Sequence, residues 1–594
     1  MAERTFGWIQ DSGNFANLKR ILKAMEVGSP FNLHLRSVMV PMYVPDRFGR
    51  DDLLRELTKK EMSYALLKGK GSSCQLTVEE NMRMFGYTLH EARRIVDKGG
   101  RGNSACTGIG QISVEAQKLL PNGRHKPYQG DWSVDSFLRL GVSLGFMAYD
   151  YARDTCTLSP LGKEFADTRD GSEKEKECIG NALLTYPPAC RVMELLAEYG
   201  HMTKFEIGCR LGFTGEAGFT SIPQNLFVSG YCMEGEDLSI IQNTEGSADK
   251  YARMIASWLV GIGWVANVPK DVTEQFAGIS YRMTIGQSYC LTLKGRRALN
   301  YIRGNSSIPG APKIVFADML ATKSSDKMYL RKRRAVILQA ILAGPKSVSA
   351  IKSELGRYGM VEDPVTILDD INNFTNIGLQ VKNVGERYRV TDRVVGLVVS
   401  RKTERKSSEL VQKDALRLRL KNVDHKYLVL LDLALDGTQN REFEIETMGL
   451  LTQELPYKGV HLGGSSRPDG VFYHDVDGVI VDTKAYGRGY SLPLSQADEM
   501  MRYIRENRQR GNINPNYWWK NFGKNVSRFS YLFVSSSFVA GFQDRLDYIK
   551  HSSGCDGGAI TAENLLLFAE EVKSGRLPLD MSFDCLRANT EIIV

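Results

Sequence analysis

No single hydrophobic core can organise this chain. Its 594 residues exceed the size at which one core stops growing and a chain divides into domains. The polar stretch at 401–409 lacks any hydrophobic period and is typical of an interdomain linker. We therefore predict three N-terminal subdomains at 1–165, 166–308 and 309–400, a linker at 401–420 and a C-terminal domain at 421–594.

Short helical patterns separated by turns fill the N-terminal three-quarters, and short strand-like runs such as Tyr388 to Val390 close some of them. This texture is typical of winged-helix or related helix-turn-helix modules. The stretch from Ala248 to Leu259 predicts a helix, with apolar residues at core spacing: Tyr251, Ile255, Trp258 and Leu259. Asp249, Lys250 and Arg253 lie off that apolar stripe, where a recognition helix meets base edges. On this segment alone, an ordinary solvated helix face is the favoured alternative.

A basic cluster precedes the apolar run that begins at Ala335; it comprises Lys327, Arg331, Lys332, Arg333 and Arg334. Contact with DNA phosphates and a charged first turn on an otherwise buried helix explain this cluster equally well.

The overall charge fits a polyanionic partner but does not specify one. The net charge is +8 and the pI is near 8.8, and lysine and arginine gain free energy by releasing counterions from nucleic acid. The sequence has no apolar run long enough for a signal peptide or a membrane span, so we expect a cytoplasmic protein. Ten cysteines are scattered singly, which predicts reduced thiols rather than a zinc site or a disulfide framework.

The most specific chemistry lies between Lys458 and Tyr486. Two strand-like runs, VFY from Val471 and VIVDTK from Val479, are separated by a turn-rich segment and suggest a hairpin. Because side chains alternate faces along a strand, Asp482 and Lys484 point the same way. Asp469, at the mouth of the preceding strand, can reach the same point.

Two converging carboxylates repel each other unless a cation lies between them, and hard oxygen ligands suit Mg²⁺. A metal there activates water, while Lys484 can orient that water and offset developing negative charge. We therefore predict that Asp469 and Asp482 bind the metal and that Asp469, Asp482 and Lys484 are catalytic. A surface hairpin with a salt bridge is the alternative, because such short motifs match by chance.

Two kinds of side chain upstream of Asp469 are further candidates for the site: the acidic residues Glu444 and Glu446, and His461. The helix predicted from Arg441 to Met448 can bring Glu444 or Glu446 to the site, although a solvated acidic face is the favoured interpretation. His461 lies in a glycine-rich segment and is more simply a turn residue with a satisfied ring, so we leave it out of the predicted site. No P-loop, nucleophile elbow or dinucleotide fingerprint is present.

Long sequence segments resemble those of the FokI-like family of type IIS restriction endonucleases. In the C-terminal part these are HLGGSSRPDG from His461, VIVDTKAYGRGYSLPLSQADEMMRYIREN and INPNYWWKNF; further upstream they are TFGWIQ, DWSVDSFLRLG, TYPPACRV, MTKFEIG, GEAGFTSIP and EGSADKYARMIASWL. The resemblance covers nearly the whole chain. It implies a multidomain α+β fold, with helix-turn-helix or winged-helix subdomains that read DNA, joined to a C-terminal α/β nuclease domain of the PD-(D/E)xK type.

The resemblance also implies the reaction. A protein of this family binds an asymmetric site in double-stranded DNA and hydrolyses both strands at a fixed distance outside it. On the matching positions Asp469, Asp482 and Lys484 are the catalytic residues. The protein is expected to be monomeric in isolation, and two nuclease domains are expected to dimerise transiently on DNA through Asp498 and Arg502, which are spaced i,i+4 on one helix. An intrahelical salt bridge is the alternative for that pair.

For base contacts, the resemblance points to Gln10, Trp132, Gln242, Asn243, Glu245, Lys250 and Arg253. Departures from the family pattern leave the recognised sequence open. Asp11 stands where the family has an asparagine, and an ungapped alignment puts Cys106 where it has a base-contacting arginine. The segment from Cys74 to Gly102 is also longer than its counterpart.

Two other functions compete with a site-specific endonuclease. A DNA-binding regulator with an inactive nuclease fold would not need all of Asp469, Asp482 and Lys484, so their presence argues against it. A nuclease without site specificity, as in repair or junction resolution, differs in giving no discrete digestion bands.

Overall fold

The computed structural model describes residues 14–71, 74–115, 130–211, 223–225, 227–228, 249–276, 279–304, 310–321, 325–464, 466–511 and 517–594. In these parts of the chain, no helix is both long and apolar enough to cross a membrane.

The first subdomain is mainly helical, with one small antiparallel sheet. Its strands are Glu61–Ser63, Thr155–Leu158 and Met147–Asp150, in that spatial order. The α-helices are Phe15–Met25, Pro30–His34, Val40–Tyr43, Arg50–Glu56, Tyr64–Lys68, Val78–Phe85, Leu89–Lys98, Ile109–Glu115, Asp131–Ser143 and Pro160–Asp167. Short 3₁₀ or π turns occupy Leu35–Met39, Asp46–Phe48 and Gly100–Asn103.

The second subdomain combines helices with two antiparallel sheet elements. Its described helices are Glu173–Leu184, Pro187–Tyr199, Lys204–Leu211, Lys250–Gly261 and Leu293–Arg303. A three-stranded sheet has the order Met202–Thr203, Ser288–Leu291 and Val265–Asn267, and a hairpin pairs Lys270–Phe276 with Ile279–Ile285. The helix expected after Ala248 begins at Lys250, and its apolar stripe is buried as predicted.

The described residues of the third subdomain form three α-helices, a three-stranded sheet and a two-stranded one. The helices are Lys327–Leu342, Val348–Arg357 and Pro364–Asn376, and Ala317–Leu320 is a 3₁₀ turn. The strands Lys346–Ser347, Arg387–Val390 and Val381–Val384 pair in that order, while Lys313–Ile314 pairs with Val394–Val395.

The basic cluster of this subdomain is mostly buried. Lys332, Arg333 and Arg334 are each at most 4% exposed, and both arginines pair with Asp370, at 2.7 Å and 2.9 Å. Buried charges must be paired to remain stable. These three side chains lie in the second turn of the helix Lys327–Leu342 and are held inside the protein, so they do not form a basic surface for DNA phosphates.

The C-terminal domain is built on a six-stranded sheet. We number its strands β1 (Lys458–His461), β2 (Gly470–His474), β3 (Asp477–Lys484), β4 (Arg528–Ser535), β5 (Gly557–Thr561) and β6 (Glu591–Ile592). They lie side by side in chain order; β1 to β3 are antiparallel, and β3 to β6 are parallel. The predicted hairpin is β2–β3.

Helices cover both faces of this sheet. We number them α1 (Ser408–Arg419), α2 (Asn440–Gly449), α3 (Leu494–Gln509), α4 (Phe542–Ser553), α5 (Ala562–Lys573) and α6 (Leu579–Leu586), and shorter helical turns lie at His425–Leu428, Val429–Leu433, Gly437–Gln439, Leu450–Glu454 and Trp518–Asn521. Two apolar clusters pack on opposite faces of the sheet. Burial on both sides explains the continuous apolar run Val479-Ile480-Val481 in β3.

The segment predicted as a linker is largely ordered structure. It contains α1, whose Leu410 belongs to the core of the N-terminal subdomains, whereas Leu416 belongs to the C-terminal core. Lys406 pairs with buried Glu362 at 2.9 Å. The polar composition of this segment thus reflects ion pairs with the third subdomain.

Candidate active site

The β2–β3 hairpin brings Asp469 and Asp482 to one end of the sheet. Gly470 pairs with Val481 in the antiparallel register, so the next residue outward on each strand is one of the two aspartates. Backbone amides of Leu462 and Gly463 donate to the Asp469 carbonyl at 2.7 and 3.1 Å. These contacts fix the backbone at the entry to β2.

Lys484 lies on the same face of β3 as Asp482. Its ammonium is 3.0 Å from Asp482 Oδ1 and 2.9 Å from Oδ2. The Thr483 backbone amide and hydroxyl, in contrast, donate to Asp469 Oδ2 at 2.6 and 3.0 Å. The structure therefore brings together the three side chains that the sequence singled out.

The electrostatics around Asp469 and Asp482 favour an additional positive charge. Burial, with the neighbouring carboxylates of Asp482 and Glu444, raises the pKa of Asp469 well above its usual range. Burial also raises the pKa of Asp482, although Lys484 opposes that effect. Burial lowers the pKa of Lys484, but the two aspartates outweigh it, so the net shift is upward and the ammonium stays charged. One lysine does not balance this concentration of acidic groups, and the donor set fits a divalent cation.

Among the residues that the structure describes, no three or more His, Cys, Asp and Glu side chains form a group arranged to hold a metal ion. A divalent cation at Asp469 and Asp482 would take its other ligands from water and substrate oxygens.

Helix α2 adds Glu444 to the surroundings of the site. His461 Nε2 lies 3.0 Å from Glu444 Oε2, both side chains are largely buried, and Glu444 raises the pKa of Asp469. The preference for a solvated acidic face on α2 was wrong, because Glu442 and Glu446 are also buried. Likewise, His461 ends strand β1 and bonds to Glu444, and is not a turn residue.

Glu446 points away from the hairpin. The groups that act on its pKa are Lys426 and Asp424, and burial, the largest influence, raises that pKa to about 7. The choice between the two glutamates is therefore settled by geometry: Glu444 faces the hairpin.

A further carboxylate, Glu499 on α3, was not identified from the sequence. The Tyr503 hydroxyl lies 2.9 Å from Glu499 Oε1, and the Glu499 charge helps to raise the pKa of both Asp482 and Lys484. Nothing in the local sequence marks Glu499, since only the packing of α3 against the sheet brings it to the site.

The predicted base-contacting residues are only partly described. Gln10, Gln242, Asn243 and Glu245 lie outside the described residues, as does the side chain of Trp132 on the helix Asp131–Ser143. Lys250 and Arg253 lie three residues apart in the first turns of their helix and are half-buried. Asp249 is 1% exposed, so it is not part of a solvated face.

Cys106 is fully buried in the first subdomain. A base-contacting residue must reach the surface, so this position does not contact DNA. The burial of Cys106 therefore gives no support to a base contact at the position where the ungapped alignment puts it.

The predicted dimer residues lie on α3. Asp498 is exposed and accepts a long hydrogen bond, 3.4 Å, from the Tyr548 hydroxyl of α4. Arg502 is half-buried and lies 3.0 Å from Glu499.

Family models match four consecutive parts of the chain. They are described as FokI recognition domain subdomain 1 at 4–168, FokI recognition domain subdomain 2 at 175–307, the FokI D3 domain at 320–386 and the FokI cleavage domain at 406–593. The type II restriction enzyme FokI of Planomicrobium okeanokoites is 35% identical over 592 residues, which is 97% of each chain. The chain belongs to the FokI family.

Other similar proteins agree with this assignment. The type II restriction enzyme StsI of Streptococcus sanguinis is 28% identical over 468 residues, covering 75% of this chain and 78% of that enzyme. Solved structures of FokI alone and of FokI bound to DNA superpose over 100% of both chains, with TM-scores of 0.86 and 0.84 and identities of 34% and 33%.

Family membership confirms the resemblance seen in the sequence and the predicted class of enzyme, a site-specific deoxyribonuclease. The fold is confirmed as mixed helix and sheet, with recognition domains followed by a C-terminal cleavage domain.

Proposed function

We propose that this chain is a type IIS restriction endonuclease. Its N-terminal subdomains, winged-helix in type, bind an asymmetric site in double-stranded DNA, and its C-terminal domain, of the PD-(D/E)xK type, hydrolyses both strands at a fixed distance outside that site. The observation that carries this proposal is the convergence of Asp469, Asp482 and Lys484 at the end of the β2–β3 hairpin, in a chain that also carries recognition subdomains.

The metal in this proposal is Mg²⁺, held by Asp469 and Asp482. Two buried carboxylates with raised pKa values are a donor set that a divalent cation stabilises. When bound, such an ion polarises a phosphoryl oxygen and makes its water more acidic. Lys484, held by both oxygens of Asp482, orients the attacking water and offsets the charge that develops on the phosphate. Thr483 holds Asp469 in position through two donors.

Recognition and assembly complete the proposal. Gln10, Trp132, Gln242, Asn243, Glu245, Lys250 and Arg253 are proposed to contact DNA bases, since amides, cations and a glutamate suit the major-groove edges of all four base pairs. The protein is a monomer in isolation, and two nuclease domains associate transiently on DNA through Asp498 and Arg502. We place this activity in the bacterial cytoplasm.

A plasmid digest tests the catalytic centre. The wild-type protein should give discrete fragments with Mg²⁺ and none with EDTA, and Lys484→Ala should cleave about 100-fold more slowly or worse, because the charge beside the reacting phosphate is lost. Lys524→Ala is the matched control, since Lys524 is an exposed lysine of the same domain. Cleavage by Lys484→Ala at the wild-type rate would contradict the proposed centre.

The same digest separates the competing functions. A gel shift without cleavage would favour a DNA-binding regulator, and a smear without bands would favour a nuclease that lacks site specificity. Sequencing the ends of the fragments gives both the recognised site and the cutting distance.

A further inference from the structure

Tyr490 lies beside the proposed catalytic centre and takes no part in the contacts described so far. Its backbone pairs with the segment after β4, since its amide donates to Ser537 at 2.8 Å and its carbonyl accepts from Val539 at 3.1 Å. The side chain is 1% exposed, so the surrounding chain fixes its position.

The ring of Tyr490 packs on the same face of the sheet as Asp482. It contacts Phe533, with ring centroids 6.2 Å apart, and Phe533 is the residue of β4 paired with Asp482 of β3. Paired residues on adjacent strands present their side chains to the same face. The Tyr490 ring also stacks on Tyr486, with ring centroids 5.4 Å apart. Tyr490 is therefore held by aromatic contacts with Tyr486, which follows β3, and with Phe533 of β4, the strand next to Asp482.

The hydroxyl of Tyr490 has no hydrogen-bond partner among the described residues, although it is buried. Two other buried tyrosines of this domain do have one: Tyr457 bonds to Ser582 at 2.6 Å, and Tyr503 bonds to Glu499 and to the Arg467 carbonyl. Buried polar groups are nearly always paired, so an exception calls for an explanation.

The Tyr490 hydroxyl is a hydrogen-bond donor at neutral pH. Burial raises its pKa, and the nearby carboxylates of Asp482, Glu499 and Asp469 raise it further. The Asp482 oxygens are already engaged by Lys484. Among the described residues this donor therefore has no acceptor, and a substrate oxygen would supply one.

We propose that the Tyr490 hydroxyl donates a hydrogen bond to a non-bridging oxygen of the scissile DNA phosphate. This inference rests on the proposed cleavage reaction. A phosphate placed between Asp469, Asp482 and Lys484 gains negative charge on these oxygens as the bond to the attacking water forms. A fixed, buried donor stabilises that charge without having to reorganise.

The test compares Tyr490→Phe with Tyr531→Phe. Tyr531 lies on β4 in the same apolar cluster, and its hydroxyl makes only a long contact, 3.5 Å, with the Leu546 carbonyl. Tyr490→Phe should lower kcat for plasmid cleavage about 10- to 100-fold, leave KM and DNA affinity in EDTA unchanged, and leave the Tm of the free protein equal or higher. Tyr531→Phe should keep the wild-type kcat.

Phosphorothioate substrates show whether the donor acts on the phosphate. Sulfur accepts hydrogen bonds poorly, so one of the two stereoisomers at the scissile position should reduce the gap in rate between wild type and Tyr490→Phe to near unity. For each protein, the rate on the oxygen substrate is divided by the rate on the sulfur substrate. Because each ratio is measured on a single folded protein, it remains informative if the variant has a lower Tm. An equal gap on oxygen and both sulfur substrates would overturn the inference, as would a wild-type kcat for Tyr490→Phe. If the wild-type protein itself fails to cleave DNA, it is the proposed function that is wrong.

Discussion

Asp498 and Arg502 lie one helical turn apart on α3, yet Arg502 directs its guanidinium to Glu499, 3.0 Å away, and to Glu506, 3.8 Å away. The intrahelical pair considered for these residues is therefore not what the isolated chain forms. Asp498 stays exposed and available to a second molecule. In the proposed two-fold interface, Asp498 of one copy would meet Arg502 of the other, and the reverse, so one helix would supply two ion pairs.

The first prediction concerns this surface. Replacing both residues, as Asp498→Ala with Arg502→Ala, should slow double-strand cleavage at dilute enzyme about tenfold or more, since two ion pairs of about 1 kcal/mol each are lost. Raising the enzyme concentration should restore part of the rate, because association follows mass action. Nicked and linear plasmid are measured over a concentration series.

A matched control is Asp544→Ala with Arg545→Ala, which removes one acid and one base from the start of helix α4. Double-strand cleavage by the Asp498 and Arg502 variant at the wild-type rate in dilute enzyme would mean that the dimer surface lies elsewhere.

A second prediction follows from the repulsion between Asp469 and Asp482. In EDTA, Asp469→Asn should be more stable than wild type by about 1 kcal/mol, as is common when a strained functional site is relaxed. An asparagine oxygen can still accept from the Thr483 amide. The variant should not cleave DNA, and adding Mg²⁺ should raise the Tm of the wild-type protein only, because ligand binding stabilises the folded state.

Thermal unfolding with and without Mg²⁺ checks both halves of this prediction. Asp556→Asn provides a control at an aspartate whose partner is Lys550, at 2.8 Å, away from the hairpin. A lower Tm for Asp469→Asn in EDTA would show that the two carboxylates do not repel each other as described.

Predictability from sequence differs among the parts of this site. Asp469, Asp482 and Lys484 could be predicted because one hairpin positions all three, and strand alternation is a local rule. Glu499 and Tyr490 could not, because α3 and the segment before it reach the site through packing against β3 and β4, which depends on distant parts of the chain.

Helix α2 shows a different limit of prediction from sequence. Its charged residues suggested a solvated face, but Glu442 and Glu446 are buried and Ile445 packs with Phe205 of the second subdomain. The contact between domains supplies this burial, and a pattern read along one helix does not reveal it. The same holds for α1, which composition alone assigned to a linker.

The third prediction uses Glu444 and Glu446 as a matched pair on one helix. Glu444→Gln should lower the cleavage rate about tenfold, as the loss of a group that supports a metal centre commonly does, because Glu444 faces Asp469 and pairs with His461. Glu446→Gln should keep the wild-type rate. It should also stabilise the protein above pH 7, since the raised pKa of Glu446 means that burial of its charged form costs free energy.

Single-turnover cleavage and urea unfolding at pH 6 and pH 8 measure these effects. If Glu446→Gln slowed cleavage as much as Glu444→Gln, the assignment of Glu444 to the hairpin side would lose its support.

The last prediction concerns the contact between the nuclease domain and the third subdomain. His425 Nδ1 lies 2.7 Å from Asp369 and its Nε2 lies 2.8 Å from the Leu420 carbonyl. Both ring nitrogens face acceptors, so the ring must carry two protons to satisfy them. Burial lowers the pKa of His425, but the hydrogen bonds to Asp369 and Leu420 outweigh burial and Arg417, and the net shift is upward.

The sign of the pH effect follows from this raised pKa. In this contact His425 holds its proton more tightly than it would if the contact were open, so the contact is strongest at pH below the ordinary histidine value and weakens as pH rises through the raised pKa. The contribution lost is about 1 kcal/mol, which corresponds to roughly a fivefold change in the docking equilibrium.

Hydrogen exchange of the helix Pro364–Asn376 and of the turn at His425–Leu428 should therefore be faster at pH 8.5 than at pH 6, after correction for intrinsic rates. Asp369→Asn should remove most of that difference, because an amide no longer favours the charged ring, whereas His551→Ala, at an exposed histidine of α4, should preserve it. Identical corrected exchange at both pH values in the wild-type protein would show that His425 does not hold this contact through its proton.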